Sequence, residues 1–348
     1  MFQRIVVPLD GSLRAERAIP VAARLARASG GSVVLLRVVS IATEYWPTIV
    51  SQPTMKQTAM DAELTEAETY LSEVATRPKL DHVPTETVAL SGSIPSTILE
   101  GAHSCQADLI VLCSHGYTGM TRWVLGSVAE KVARHARVPV LILREGGPLP
   151  AGPHPDAARP LRALVALDGS AHAKAALEPA ASLIAALAAP ASGALHLVRV
   201  VPPVTAERGA QDGDARSSSE QVLHKAKRYL SATVEHLHEG LTAPGVADLN
   251  LSITWSIAVD TDVATAIIRL AENGEDAQGA GVFGGCDVVA MATHGYSGLQ
   301  HWAMGSITQW VLGEPVWVPT SSHSPLCADD PRTAGDHKHP VMSMRDQS

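Results

Sequence analysis

Aromatic residues make up only 4% of the 348 positions, so any core must be assembled from Ala, Val, Leu and Ile. That mix suits a parallel sheet buried beneath helices. Cysteine is scarce too: Cys105, Cys113, Cys286 and Cys327 stand singly, with no C-x-x-C pair and no Cys/His cluster at metal-ligand spacing. Neither a disulfide framework nor a metal site is indicated. No window approaches 18 uninterrupted apolar residues, and the chain runs from Met1 straight into a strand pattern. The expectation is a soluble, cytoplasmic protein that does not engage a membrane. Basic residues are not in excess, and a net charge of −8 lacks the positive footprint that neutralises a phosphate backbone. Nucleic acid is therefore not an expected partner.

What the sequence does contain, it contains twice. Ser-His-Gly-Tyr-Thr-Gly-Met-Thr-Arg-Trp-Val-Leu-Gly-Ser-Val at 114–128 returns as Thr-His-Gly-Tyr-Ser-Gly-Leu-Gln-His-Trp-Ala-Met-Gly-Ser-Ile at 293–307. The opening Arg4 to Ser12 is likewise echoed by Arg162 to Ser170. Self-similarity on this scale means two copies of one domain, and the chain length suits two domains of about 150 residues each. The expected division is a first domain over 1–145, a Pro- and Gly-rich linker over 146–160, a second domain over 161–320, and a patternless, disordered tail over 321–348. Asp10 and Gly116 are 106 positions apart and Asp168 and Gly295 are 127 apart, so the second copy is longer. Its insertions fall near 205–220 and 273–285, in Gly-, Ala-, Asp-, Glu- and Ser-rich stretches expected to be mobile surface loops.

Hydrophobic periodicity alternates between strand and helix. In the first copy strands are expected at Ile5–Leu9, Ser32–Val39, Thr85–Leu90, Asp108–Cys113 and Val138–Leu143. Helices are expected at Glu16–Ser29, Met55–Ala75, Ser96–Ser104 and Ser127–His135. The second copy repeats the strands at Leu164–Leu167, Ala194–Val201, Asn250–Ser256, Asp287–Ala292 and Pro315–Val318. Such alternation predicts an α/β fold with a five-stranded, doubly wound parallel sheet in each copy. The last helix of the second copy, judged by the distance from Ser306 to Pro315, is expected to lose nearly one turn relative to its counterpart.

Nine residues separate Gly116 from Gly126, and nine separate Gly295 from Gly305; a Ser follows each closing Gly. Each motif leaves the C-terminal end of a strand and enters a helix, which is where open α/β sheets bind ligands. Free N–H groups at a helix start attract phosphate, and glycine admits it to the backbone. The competing reading is purely structural, since Ser127-Val-Ala-Glu130 and Ser306-Ile-Thr-Gln309 both fit a capping box. Asp10 and Asp168, at the ends of the first strands, can accept from ribose hydroxyls or cap the following helix, or do both. His115 and His294 read as hydrogen-bonded structural groups, because no Ser or Cys nucleophile with a positioned acid partner accompanies them. Trp123 and Trp302 read as packing for the loop.

These residues resemble the universal stress protein family: a first strand ending in Asp, a G-x2-G-x9-G-[ST] loop late in the domain, and a last strand of the Val-Pro-Val type. The resemblance covers nearly the whole chain in two copies. It implies a Rossmann-like fold of the adenine nucleotide alpha hydrolase-like type, pairing through last strands and, in a tandem chain, an internal pseudo-dimer. It further implies that Asp10, Val38, Asp168 and Val200 hold a nucleoside. Gly116, Gly126, Ser127, Gly295, Gly305 and Ser306 would hold phosphates. The ligand it implies is ATP or a related adenine nucleotide, with Mg2+ admitted as its companion. The chain departs from the pattern at the first motif glycine, where it has Cys113 and Ala292. Each adds a Cβ where the backbone approaches phosphate.

Three functions are compatible with this reading: a nucleotide-responsive stress protein acting on an unknown protein partner, a slow ATPase or self-phosphorylating enzyme, and a scaffold without ligand. No Walker lysine or acidic metal cluster favours the enzyme.

Overall fold

β-Branched runs buried on both faces build the sheet of the first half. In the computed structural model this sheet comprises β1 (Arg4–Leu9), β2 (Ser32–Val39), β3 (Thr85–Ser91), β4 (Leu109–Cys113) and β5 (Val140–Leu143). The structure describes residues 1–40, 53–114, 125–144, 159–203, 212–274, 276–277, 281–282, 284–293, 305–313 and 341–344. The chain divides into two compact units, Met1–Glu145 and Gly146–Ser348. Within the first unit the order is β3-β2-β1-β4-β5, every pairing being parallel. Helices α1 (Ala18–Ser29), α2 (Pro53–Ala75), α3 (Ile94–Ser104) and α4 (Ser127–His135) supply the crossovers. A 3-10 turn, Ala15–Arg17, precedes α1, so the predicted first helix is split. α1 stops because Gly30 adopts φ +64° and the Gly31 N–H returns to the Ala26 carbonyl at 2.9 Å, a left-handed cap that glycine favours.

The second unit repeats the plan. Its strands are β6 (Arg162–Ala166), β7 (Gly193–Val201), β8 (Leu251–Val259), β11 (Val288–Ala292) and β12 (Val341–Met344), in the order β12-β11-β6-β7-β8 and again all parallel. The helices are α5 (Ala171–Lys174), α6 (Leu177–Ala188), α7 (Asp212–His238), α8 (Val263–Asn273) and α9 (Ser306–Gly313). One core cluster joins Leu164, Val198, Ile267, Leu270, Val289 and Val311, bringing β6, β7, α8, β11 and α9 together.

Both sheets share an anchor at the strand start. The Asp108 carboxylate accepts the N–H groups of Gln3 at 2.6 Å and Arg4 at 3.1 Å, and Asp287 accepts that of Arg162 at 2.8 Å. Beneath the second sheet, His196 of β7 is fully buried between the Thr254 hydroxyl at 2.9 Å and the Ser256 hydroxyl at 2.8 Å. Burial, reinforced by the nearby Arg162 guanidinium, pushes its pKa down to about 3.

Two expectations need correction. The fifth strand of the second sheet is β12, drawn from the stretch expected to be a patternless tail; Val341 pairs with Val289 and Met344 with Ala292. The expected strand Pro315–Val318 lies outside the described residues. Of the two insertions, 212–220 is not loop but the opening of the 27-residue helix α7, and the other carries a short antiparallel ribbon, β9 (Asp276–Ala277) with β10 (Gly281–Val282). The expected shortening of the last helix concerns residues up to Pro315, of which 314 and 315 lie outside the described residues.

Candidate functional site

A sheet ordered 3-2-1-4-5 reverses its winding between β1 and β4, and the same reversal falls between β6 and β11. Helical connections leave such a point in opposite directions and open a crevice beyond the strand ends. Asp10 follows β1 and Asp168 lies two residues past β6; Gly126 and Gly305 return to the ends of β4 and β11. The return is fixed identically in both halves, the Gly126 N–H donating to the Ser114 carbonyl and the Gly305 N–H to the Thr293 carbonyl, each at 2.8 Å.

Those bonds decide what each glycine offers. With its N–H engaged, Gly126 contributes its carbonyl to the first helical bond, from the Glu130 N–H at 2.9 Å, and Gly305 does the same for the Gln309 N–H at 3.0 Å. Gly126 is therefore the cap of α4 and Ser127 its first helical residue. The capping boxes do not form in the expected register. Glu130 instead pairs with Arg134 one turn on. The free donors at the helix start are the next N–H groups, those of residues 127–129 and 306–308. Ser127 and Ser306 are exposed there.

In the first half Asp10 is exposed at the strand end, and its Oδ1 accepts the Ser12 N–H at 2.9 Å while the Ser12 hydroxyl accepts the Ala15 N–H at 3.1 Å. The same arrangement recurs at Asp168, which accepts from the Ser170 N–H at 2.8 Å, while the Ser170 hydroxyl caps α5 by accepting the Ala173 N–H at 3.0 Å. Each aspartate shapes its own turn through one oxygen, and the cap proper is the serine. Val38 and Val200 are half-buried near the ends of β2 and β7. Cys113 ends β4 with its Sγ 3.8 Å from the Ala15 carbonyl.

The second half encloses a cavity of about 440 Å³, within the range of small-molecule sites. Asp168, Val200, Gly305 and Ser306 all line it, so the structure gathers four of the five residues expected there. Its apolar wall comes from Val198, Val263, Ile267 and Met291, and Ala292 lines it where the motif would have glycine. A Cβ on Gly305 would stand 3.3 Å from the Thr293 carbonyl oxygen, so the bare glycine keeps this wall open. Gly116, Gly295, His115, His294, Trp123 and Trp302 lie outside the described residues. Among the described residues no three His, Cys, Asp or Glu side chains converge as a metal site.

One pair of contacts escaped the sequence reading. Arg37 of β2 lies 5.0 Å from the ring centre of Tyr70 on α2, and Arg199 of β7 lies 5.1 Å from that of Tyr229 on α7. These are cation–π contacts at matching positions. Arg199 also lines the cavity.

Comparison with known proteins agrees with the fold and the motifs. The model of the universal stress protein family matches residues 1–144. Over 147 residues the chain is 31% identical to a universal stress protein of Methanocaldococcus jannaschii, a match spanning 42% of this chain and 84% of that protein. The chain belongs to the universal stress protein family. A universal stress protein of Thermus aquaticus is 33% identical over 145 residues, 41% of this chain and the whole of that protein. The crystal structure of a universal stress protein from Archaeoglobus fulgidus, 18% identical, aligns with a TM-score of 0.54 over 98% of this chain and 96% of that one. That likeness is one of fold, and it runs through both halves. Among the described residues no helix is long and apolar enough to cross a membrane.

Proposed function

We propose that this universal stress protein binds ATP or a related adenine nucleotide in the crevice of each half, and that occupancy acts as a switch for a protein partner. The observation that carries the reading is the second-half cavity, where an apolar wall, an acidic hydroxyl acceptor and the open start of a helix face one space. The apolar wall suits an adenine ring, Asp168 suits ribose hydroxyls, and the N–H groups of α9 suit phosphate. In the first half we assign the same roles to Asp10, Val38, Gly126 and Ser127, and from the sequence motif we assign phosphate contacts to Gly116 and Gly295 as well.

Nothing in this set activates a nucleophile or holds a cation by itself. Phosphoryl transfer depends on placed cations and an oriented attacking group. A Mg2+ ion would therefore arrive with the nucleotide, held by its phosphates, and hydrolysis would be slow. We read the two halves as an internal pseudo-dimer paired through last strands, since an uncovered last strand exposes a row of backbone donors and acceptors.

Calorimetric titration of the full chain with ATP tests the reading. Saturable binding approaching two sites is expected; absence of heat at any concentration up to millimolar would overturn it.

A further inference from the structure

The two crevices are built alike but charged differently. In both, the glycine after the aspartate takes a positive φ, +87° at Gly11 and +97° at Gly169, and lies under an arginine head. A Cβ would come within 3.7 Å of Arg37 at the first and 2.9 Å of Arg199 at the second. Each arginine thus borders its aspartate turn.

Six residues after the aspartate the copies diverge, with Glu16 in the first half and Lys174 in the second. Glu16 is buried, accepts the Tyr70 hydroxyl at 3.0 Å and pairs with Arg77. That triad closes on itself and places a carboxylate next to Arg37's aromatic seat. Lys174 cannot accept, and its Nζ instead lies 5.3 Å from the Tyr229 ring centre, so two cations share one ring. The Tyr229 hydroxyl is buried, with Thr233 beside it. Neither Lys174 nor Arg199 has a carboxylate ion-pair partner among the described residues. Two cations brought together on one ring form a place for an anion, and Arg199 opens that place onto the cavity at Asp168's end.

Position then indicates which anion. In dinucleotide sites an acidic residue marks a free ribose hydroxyl and a nearby arginine marks a phosphate on that ribose; the second half adds a second cation, Lys174, to the arginine. Resting on the adenine-nucleotide reading above, we infer that the second half is specific for an adenine nucleotide carrying an additional phosphate on its ribose, with Arg199 and Lys174 as the residues that select it. A phosphate at that position brings a charge of about −1.5 to −2 at neutral pH. The first half has Glu16 in place of Lys174, already paired with Arg77, so it lacks the second cation and takes the unmodified ribose.

Calorimetry on the full chain with AMP, adenosine 2′,5′-bisphosphate and adenosine 3′,5′-bisphosphate distinguishes the outcomes, the two isomers reporting which hydroxyl carries the group. At least one bisphosphate should bind one site about tenfold or more tighter than AMP, the factor supplied by one good charge-assisted hydrogen bond. Lys174→Glu, which installs the first half's residue, should cut that ratio about tenfold, and Lys174→Gln should cut it less. Equal affinities for all three ligands in the wild type would overturn this inference and leave the adenine-nucleotide reading standing. A ratio that survives both Lys174→Glu and Arg199→Met in folded protein would overturn it as well. Failure of AMP and both bisphosphates to bind would overturn the two together.

Discussion

The Gly305 N–H donates to the Thr293 carbonyl at 2.8 Å, closing the loop that leaves β11 before α9 begins. This bond spends the donor of the very glycine expected to hold phosphate. Gly305 leaves no side chain between the Thr293 carbonyl and the cavity it lines.

Gly305→Val should therefore block the second crevice. The added Cβ meets the Thr293 oxygen at 3.3 Å, and the branches have to occupy the wall of the cavity or displace the loop. Calorimetry with ATP should show one site lost or weakened at least tenfold. Gly126→Val should do the same in the first half, and the double variant should bind nothing. Unchanged affinity and stoichiometry would place the nucleotide elsewhere.

Gly169→Ala and Gly11→Ala should each cost stability through the backbone. Both glycines hold positive φ, and an L-residue at such a φ costs about 1 kcal/mol or more. At Gly169 the new methyl lies 2.9 Å from the end of the Arg199 side chain, which can swing aside, and at Gly11 the nearest Arg37 atom is at 3.7 Å. Urea unfolding of each variant should show a lowered midpoint; an unchanged midpoint would contradict the strain argument.

Much of this architecture was legible in the sequence because its strands are continuous apolar runs. Ser32–Val39 and Val288–Ala292 can only be satisfied between two covered faces, and their spacing left little room for anything but helices between them. β12 was not legible. Val-Met-Ser-Met is too short to show a period, and it becomes a strand through its parallel pairing with β11. Asp168, Gly305 and Ser306 stand out in the sequence through its repeats and Val200 only through the family resemblance, and all four line one cavity. The Arg–Tyr pairs were missed because strand and helix partners lie far apart in sequence and share no local signature. Recurrence was the available signal: Arg37-Val38-Val39 and Tyr70-Leu71 return as Arg199-Val200-Val201 and Tyr229-Leu230. The capping boxes misled because the Ser-x-x-Glu spacing is right while the helix starts one residue early, with Gly126 as the cap and Ser127 already helical.

His196 should make the second unit acid-sensitive. Its pKa is lowered from 6.5 to about 3 by burial, so the folded state refuses a proton that the unfolded state accepts below pH 6.5. Its contribution is neutral above that pH and turns destabilising as pH falls from 6.5 toward 3. Between pH 7.5 and pH 5 the loss from this one group should be about 2 kcal/mol. Denaturant titrations at the two pH values should give a smaller loss for His196→Gln than for the wild type, whatever that substitution does to stability at pH 7.5. An equal loss in both would assign the acid sensitivity to other groups.

ATP should raise the melting temperature without being consumed quickly. A ligand present at 100 times its Kd stabilises the folded state by about 2.7 kcal/mol. Hydrolysis should stay far below the turnover of dedicated kinases, about 1 per second or more, and His115→Ala should leave it unchanged. A fast turnover abolished by His115→Ala or His294→Ala would make the protein an enzyme instead of a switch.

The pairing of the halves can be read from each half alone. If last strands need cover, residues 1–145 expressed separately should self-associate or unfold less cooperatively than within the full chain. A monomer with unchanged unfolding would contradict the internal pseudo-dimer.

The central claim is that the crevices are made for an adenine nucleotide. Full-length protein, purified without added nucleotide and then denatured, should release one into the supernatant, where mass spectrometry identifies it by its adenine fragment. An adenine nucleotide in near-stoichiometric amount is the predicted result. Protein that releases none, and whose melting temperature does not move when ATP is supplied at millimolar concentration, would contradict the account.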